Sequence, residues 1–137
     1  MNETIFYTGK GDRGDTARLE GRERVPKSSE LIEAIGTVDE ATCAIGVARA
    51  AAQTTRLQQT LPAVQRHLYR LMSHLSATPE ARGEYQGLSS DEVDWLEELI
   101  AELEVDLPPL HDFVLPGESA PGAAFHMARA MARRAER

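Results

Sequence analysis

The residues able to do chemistry in this 137-residue chain gather towards its two ends. Near the start runs Gly9-Lys10-Gly11-Asp12-Arg13-Gly14-Asp15-Thr16. Glycines this dense let the backbone curl its amide hydrogens around an anion, with Lys10 and the hydroxyls of Thr8 and Thr16 close by. The spacing matches the glycine pattern of a dinucleotide-binding turn. Neither the amphipathic helix nor the second strand that such a turn requires is expected after Gly14. A P-loop is excluded too, because Lys10 lies inside the glycine cluster rather than after a Gly-x-x-x-x-Gly spacer. What remains is a phosphate cradle outside both folds, or an ordinary flexible loop. Towards the other end, His126, Arg129, Arg133 and Glu136 recur at helical steps. Two arginines a turn apart can fork a carboxylate or a polyphosphate. The same arginines could instead simply complement the dipole of an exposed helix end.

Two other groups carry weaker signals. Asp39 sits in a line of otherwise small residues, Gly36, Cys43, Gly46 and Ala50. Such a line permits close helix approach, either within the chain or against another subunit. An acid inside it then needs a partner, because an unpaired buried charge is costly. The alternative is a solvated helix edge. His67 and His74 lie seven apart and could share a metal in principle, but no carboxylate or cysteine stands in register with them. A solvated or hydrogen-bonded pair is the expectation.

Four helices are expected to position these groups. The first starts after Ser28-Ser29, with Glu30 against the positive end of its dipole and Leu31, Ile35, Val38, Thr42 and Ile45 as its buried stripe. The second carries Leu57, Leu61, Val64, Leu68, Leu71 and Leu75. Pro62 interrupts it, so that Thr60 caps a helix starting near Leu61 or the helix kinks. The third opens with a capping box, Ser89 with Glu92, and a Leu88–Val93 staple. Val93, Leu96, Ile100 and Leu103 are its expected buried stripe, and Pro108-Pro109 its stop. Phe113-Val114-Leu115 then leads to a Pro116-Gly117 turn. The last helix is capped by Ser119, with Pro121 in its first turn and Ala123, Ala124, Met127, Ala130 and Met131 as its apolar side. A short extended piece is expected over Thr4 to Thr8. The reading is all-α, an up-and-down bundle preceded by a glycine-rich loop. It forms a single unit over 1–137, with 1–27 as the N-terminal segment and 28–137 as the bundle.

Composition narrows the function classes. Lys plus Arg number 15 against 22 Asp plus Glu, a net charge of −7 that disfavours nucleic acid and anionic membranes as partners. The acidity is local: residues 89–118 hold ten acidic groups and no basic one, whereas 119–137 hold four arginines and one glutamate. A small anion could therefore still be bound by the two ends together. The single cysteine, Cys43, excludes an intramolecular disulfide and a thiolate zinc site. With no basic, apolar leader at Met1-Asn2-Glu3-Thr4 and no apolar run long enough to span a bilayer, a cytoplasmic protein is expected.

Five motifs occur in order: Tyr7-Thr8-Gly9-Lys10-Gly11-Asp12-x-Gly14-x-Thr16, Arg24-Val25-Pro26-Lys27, Glu33-Ala34-x-Gly36-x-Val38-Asp39-Glu40, Phe113-Val114-Leu115-Pro116-Gly117, and His126-x-Ala128-Arg129-x-x-x-Arg133-Arg134-Ala135-Glu136-Arg137. Together they resemble the PduO-type ATP:cob(I)alamin adenosyltransferases over essentially the whole chain. The resemblance implies a homotrimer of helix bundles with sites between adjacent subunits. It implies ATP with Mg2+ and a corrinoid as substrates, and transfer of the 5′-deoxyadenosyl group to cobalt with release of triphosphate. Carried over by motif, Thr8, Gly9, Lys10, Gly11, Asp12, Gly14, Thr16 and Lys27 would hold the ATP phosphates and magnesium, and Arg129, Arg133 and Glu136 would complete the nucleotide site. Asp39 would pair with Arg129 across the interface. Phe113 would press on the lower side of the corrin, excluding the axial base. A cobalamin reductase or an adenosylcobalamin-dependent enzyme is an implied partner.

The sequence departs from the family pattern in three places. Glu118 follows Leu115-Pro116-Gly117 where a second glycine is usual, Ala41-Thr42 follows Asp39-Glu40 where Leu-Asn is usual, and nothing matches the family's fifth helix. The unmatched fifth helix and Glu118 favour an alternative reading, a non-catalytic corrinoid or nucleotide carrier or sensor on the same scaffold. A helical assembly module is the third possibility, but it leaves the glycine loop without a purpose.

Overall fold

Residues 8–137 are described by the computed structural model, and they form one short hairpin and four helices. The hairpin pairs β1 (Asp15–Ala17) antiparallel with β2 (Arg24–Pro26), Thr16 opposite Val25. The helices are α1 (Glu30–Ala51), α2 (Thr55–Ser76), α3 (Ser90–Glu104) and α4 (Ala120–Glu136). The expected helical bundle is therefore present. The hairpin corrects the expectation that no strand would follow Gly14, and it leaves intact the exclusion of a parallel nucleotide-binding sheet. It was hard to foresee because each strand is three residues long, too short for any alternation to show. The expected extended piece over Thr4–Thr8 lies outside the described residues except for Thr8.

α1 is the central helix, packing against both α2 and α4. Its inward residues are small: Thr37, Val38, Ala41, Ala44 and Ala48 are buried. Ala44 and Ala48 meet Ala128 of α4, with Ile45, Ala124, Phe125 and Met131 around them. Alanine at the contact lets the two backbones approach closely, and the larger side chains close the seam from the sides. Two ion pairs add to it, because Arg134 of α4 reaches both Glu33 (2.9 Å) and Glu40 (2.7 Å) of α1. The expected stripes were therefore about one position off. Leu31 and Ile35 are only half-buried, Met127 and Ala130 are exposed, and Phe125 and Ala128 turn inward instead. Periodicity marks the amphipathic side of a helix, but alanines do not stand out as core in such a pattern.

Thr54 caps α2, its hydroxyl accepting from the Leu57 amide at 3.4 Å. The helix thus starts more than a turn before the expected cap at Thr60 and carries Pro62 within it. Two glutamines fasten it to α1: Gln65 donates to the Thr42 carbonyl in mid-helix and Gln58 to the Ala52 carbonyl at its end, each at 3.1 Å. The histidines of α2 are both engaged. His74 Nδ1 lies 2.7 Å from the Tyr85 carbonyl, and His67 meets Trp95 of α3 edge-on with ring centroids 5.2 Å apart.

α3 opens with the capping box foreseen, the Glu92 carboxylate accepting from the Ser89 amide (2.7 Å) and hydroxyl. Its expected stripe is not buried: Val93, Ile100 and Leu103 are exposed, and so is the proposed staple residue Leu88. Trp95, Leu96 and Leu99 are the half-buried positions. Ties to α2 are mostly polar, through Arg70 to Glu92 and the Gly87 carbonyl, and Arg56 to Glu102 at 2.5 Å. The helix ends at Glu104, ahead of Pro108-Pro109. No helix among the described residues is long and apolar enough to cross a membrane.

Candidate functional site

The glycine loop is a pair of tight turns closed by the hairpin. Gly9 (φ 66°) and Gly14 (φ 83°) occupy the left-handed region that a side chain disfavours, and this sets the turns where the sequence places glycine. Asp12 N donates to the Gly9 carbonyl (3.3 Å) and Gly14 N to the Gly11 carbonyl (3.2 Å). Lys27 N then donates to the Gly14 carbonyl at 2.9 Å, so that β2 carries Lys27 back onto the loop. A Cβ at Gly11 would stand 2.9 Å from Lys27 Nζ, which means that the ammonium occupies the space left free by the glycine. At Gly11 the glycine leaves room for the Lys27 ammonium and is not required by backbone conformation.

A shallow concavity opens on this loop, lined by Thr8, Gly9, Lys10, Arg13, Asp15 and Arg24. Lys10 N lies 3.5 Å from the Thr8 hydroxyl. Lys10 and Arg13 form no ion pair among the described residues, so both cations are available to an anionic ligand. Arg24 is engaged differently. Its Nη2 donates to the Lys10 carbonyl (2.6 Å), the Asp15 carbonyl (2.9 Å) and the Asp15 carboxylate (2.8 Å). That hydrogen bond holds the Asp15 carboxyl below its ordinary range and raises the guanidinium in return. Of the residues expected here, Thr8, Gly9, Lys10, Gly11, Asp12, Gly14, Thr16 and Lys27 all fall on the loop or hairpin. The Thr16 hydroxyl lies 3.5 Å from the Ala17 carbonyl of its own strand. Arg13, Asp15 and Arg24 are the residues sequence reasoning did not single out. Arg24 was quoted within a motif, but only the hairpin register brings its side chain back to Lys10 and Asp15.

The hairpin itself is anchored on the far end of α2. Leu19 exchanges backbone hydrogen bonds with Ser76 (2.9 Å) and Thr78 (3.2 Å), the Arg18 guanidinium donates to the Ala77 carbonyl, and Ala77 is fully buried. Tyr85 donates its hydroxyl hydrogen to Glu20 at 3.1 Å, which raises the phenol's pKa.

The remaining candidates lie on other elements. Arg133 pairs with Glu136 one turn on, at 2.7 Å, and both are largely exposed. Arg129 is exposed, and so is Asp39, and no ion pair joins them within the chain. The line containing Asp39 proves to be largely an open face of α1, with Gly36, Cys43 and Ala50 exposed and only Gly46 half-buried, against Gln65 of α2. Phe113 is 83% exposed and shares a second shallow concavity with Leu110, Val114, Leu115 and Glu118, ahead of the turn at Gly117 (φ 121°). No group of three His, Cys, Asp or Glu side chains among the described residues comes together to hold a metal ion.

Comparison with known proteins gives this geometry its context. The family model for cobalamin adenosyltransferase matches residues 6–137. The chain belongs to the cobalamin adenosyltransferase family. Among its relatives, the corrinoid adenosyltransferase PduO of Citrobacter freundii is 38% identical over 133 residues, 96% of this chain and 39% of that protein. A second corrinoid adenosyltransferase of Citrobacter freundii is 36% identical, with 75% of its length covered. The human corrinoid adenosyltransferase MMAB is 35% identical over 141 residues, 55% of its length. The chain thus spans about two fifths of the PduO proteins it matches, 39% in each case. Among solved structures, a variant PduO-type ATP:corrinoid adenosyltransferase from Lactobacillus reuteri, complexed with cobalamin and ATP, superposes with a TM-score of 0.85 at 28% identity, covering 95% of this chain and 73% of that one.

Proposed function

We propose that this chain transfers the 5′-deoxyadenosyl group of ATP to the cobalt of a reduced corrinoid. The observation that carries the proposal is the loop at 8–16. In a member of this family, it places Lys10 and Arg13 on a shallow concavity beside glycine turns, with the Lys27 ammonium over Gly11. In the transfer, Co(I) attacks the ribose 5′ carbon, the bond between that carbon and its oxygen breaks, and triphosphate leaves with the electron pair. No general acid or base is required, since the cobalt is the nucleophile. The task of the protein is to hold the reactants in line and to stabilise the charge on the leaving group.

The loop residues Thr8, Gly9, Lys10, Gly11, Asp12, Gly14, Thr16 and Lys27 would bind the phosphates, with magnesium arriving as their counter-ion. Arg129, Arg133 and Glu136 would complete the nucleotide site, and Phe113 would face the corrin. Assembly as a homotrimer would bring α4 of one copy to the loop of the next and cover the open face of α1, pairing Asp39 with Arg129. The chain would act as one unit, with 1–27 as its nucleotide-binding segment. It would work in the cytoplasm beside a reductase that supplies Co(I) or an enzyme that accepts the product.

The deciding experiment is incubation of the purified protein with magnesium ATP and chemically reduced cobalamin. Formation of the light-sensitive adenosyl product is expected. A folded protein that yields none above the protein-free background would refute the proposal, and saturable binding without product would replace it with a carrier role.

A further inference from the structure

The concavity on the glycine loop contains a carboxylate, an unexpected group in a cradle for a polyanion. Asp15 lines it together with Lys10 and Arg13, and its negative charge faces the same space. The geometry of Arg24 resolves the conflict. A single nitrogen, Nη2, donates to the Lys10 carbonyl at 2.6 Å, the Asp15 carbonyl at 2.9 Å and the Asp15 carboxylate at 2.8 Å. Those acceptors flank the turn from Gly11 to Gly14, so one side chain from β2 spans that turn. The hairpin register fixes where that side chain starts, with Arg24 opposite Ala17 and Asp15 opposite Pro26. Lys27, three residues on, adds its amide bond to Gly14 and its ammonium over Gly11.

A glycine-rich turn loses more backbone freedom on ordering than any other sequence, and a loop ordered only by its ligand spends binding free energy on that ordering. We propose that Arg24 and Asp15 are a positioning pair. In this pair Arg24 ties the two ends of the loop into the anion-binding shape before ligand arrives, and it cancels the Asp15 charge that would otherwise repel the phosphates. Neither residue needs to touch the nucleotide. Asp15 serves as the anchor that orients the guanidinium, and the guanidinium holds the loop. The inference rests on the triphosphate role given to this loop above and assigns its internal support.

The test is calorimetric titration of the full chain with inorganic tripolyphosphate and magnesium, which needs no corrinoid and no turnover. Thermal unfolding of each variant is followed alongside. Arg24→Ala is expected to weaken binding about tenfold or more, since it removes a charge-assisted bond and leaves Asp15 facing the anion. Arg24→Lys should fall between, because a point charge can neutralise Asp15 but cannot span to the Lys10 carbonyl. The double variant Arg24→Ala with Asp15→Asn should regain much of the loss, as the repulsive charge is gone. In turnover, KM for ATP should rise while KM for the corrinoid stays unchanged. Equal tripolyphosphate affinity of the parent and Arg24→Ala would overturn the pair. A double variant as weak as Arg24→Ala would show that the Asp15 charge is not what Arg24 offsets, and that also overturns the pair. Should Arg24→Ala not fold, Arg24→Lys and the double variant carry the same comparison. A parent chain that binds no tripolyphosphate would remove the phosphate site itself, and the pair with it.

Discussion

The two sides of the proposed site are built in opposite ways. On the nucleotide side, every turn of the loop is closed by a backbone hydrogen bond, the hairpin is sewn to the end of α2, and α4 is clamped to α1 by Arg134. On the other side, residues 105–119 are exposed throughout, and Phe113 meets solvent over most of its surface. An anion cradle needs only local hydrogen bonds and a few cations, so one short stretch of chain can complete it. A platform for a large apolar ring needs a surface opposite it, and the segment carrying Phe113 finds none among the described residues. The loop holds its shape by hydrogen bonds within the chain, whereas the segment around Phe113 is exposed among the described residues.

Substitutions on each side sharpen this contrast. The largest effect is expected from Arg133→Ala. It removes a cation proposed to meet the leaving triphosphate and should lower kcat/KM by about 100-fold or more, as removal of a transition-state donor does. The unfolding midpoint should barely change, because Arg133 pairs only with an exposed neighbour on its own helix. Phe113→Ala should cut the rate with reduced corrinoid by about tenfold or more while tripolyphosphate affinity and the unfolding midpoint hold. A clear loss of stability in that variant would mean that the segment is packed after all and would erase the contrast.

Arg134→Ala tests the structural support of the nucleotide side. Each ion pair it breaks is half-exposed or more, and together they should contribute about 1 kcal/mol, a fall in Tm of a few degrees. Acid tests the cap of α3. Hydrogen bonds from the Ser89 hydroxyl and amide, helped by Arg70, bring Glu92 down to about 2. A carboxyl depressed in the folded state stabilises above its unfolded value and loses that contribution as pH falls through the folded one. Trp95 fluorescence, reporting on the α2–α3 contact, should therefore begin to change at about pH 5 and continue to change as pH falls through about 2. Ser89→Ala should move the transition to higher pH, the smallest effect of the set.

Much of this molecule could be read before it was seen. The four helices, the Ser89–Glu92 box, the Ser119 cap and Pro121 within the first turn of α4 all follow from local rules, because capping and backbone stereochemistry act over only a few residues. The glycine loop was legible for the same reason. The missed features depend on distant pairings. The hairpin strands carry no pattern of their own, and the helix faces that meet were shifted because alanines set the closest approach between α1 and α4. The stripe on α3 was expected inside and lies outside, because amphipathicity shows that a face is apolar without showing whether anything covers it.

By itself the sequence determined the helical class, the glycine turns that can receive an anion, and the motif order that leads to the family. The tertiary structure decided which charges tie one element to another. Arg24 and Arg134 read in the sequence much like Arg13 and Arg133, yet two of the four are committed to holding the structure together. That difference rests on distances between residues far apart in the chain, Arg134 to Glu33 above all, and no local rule contains them.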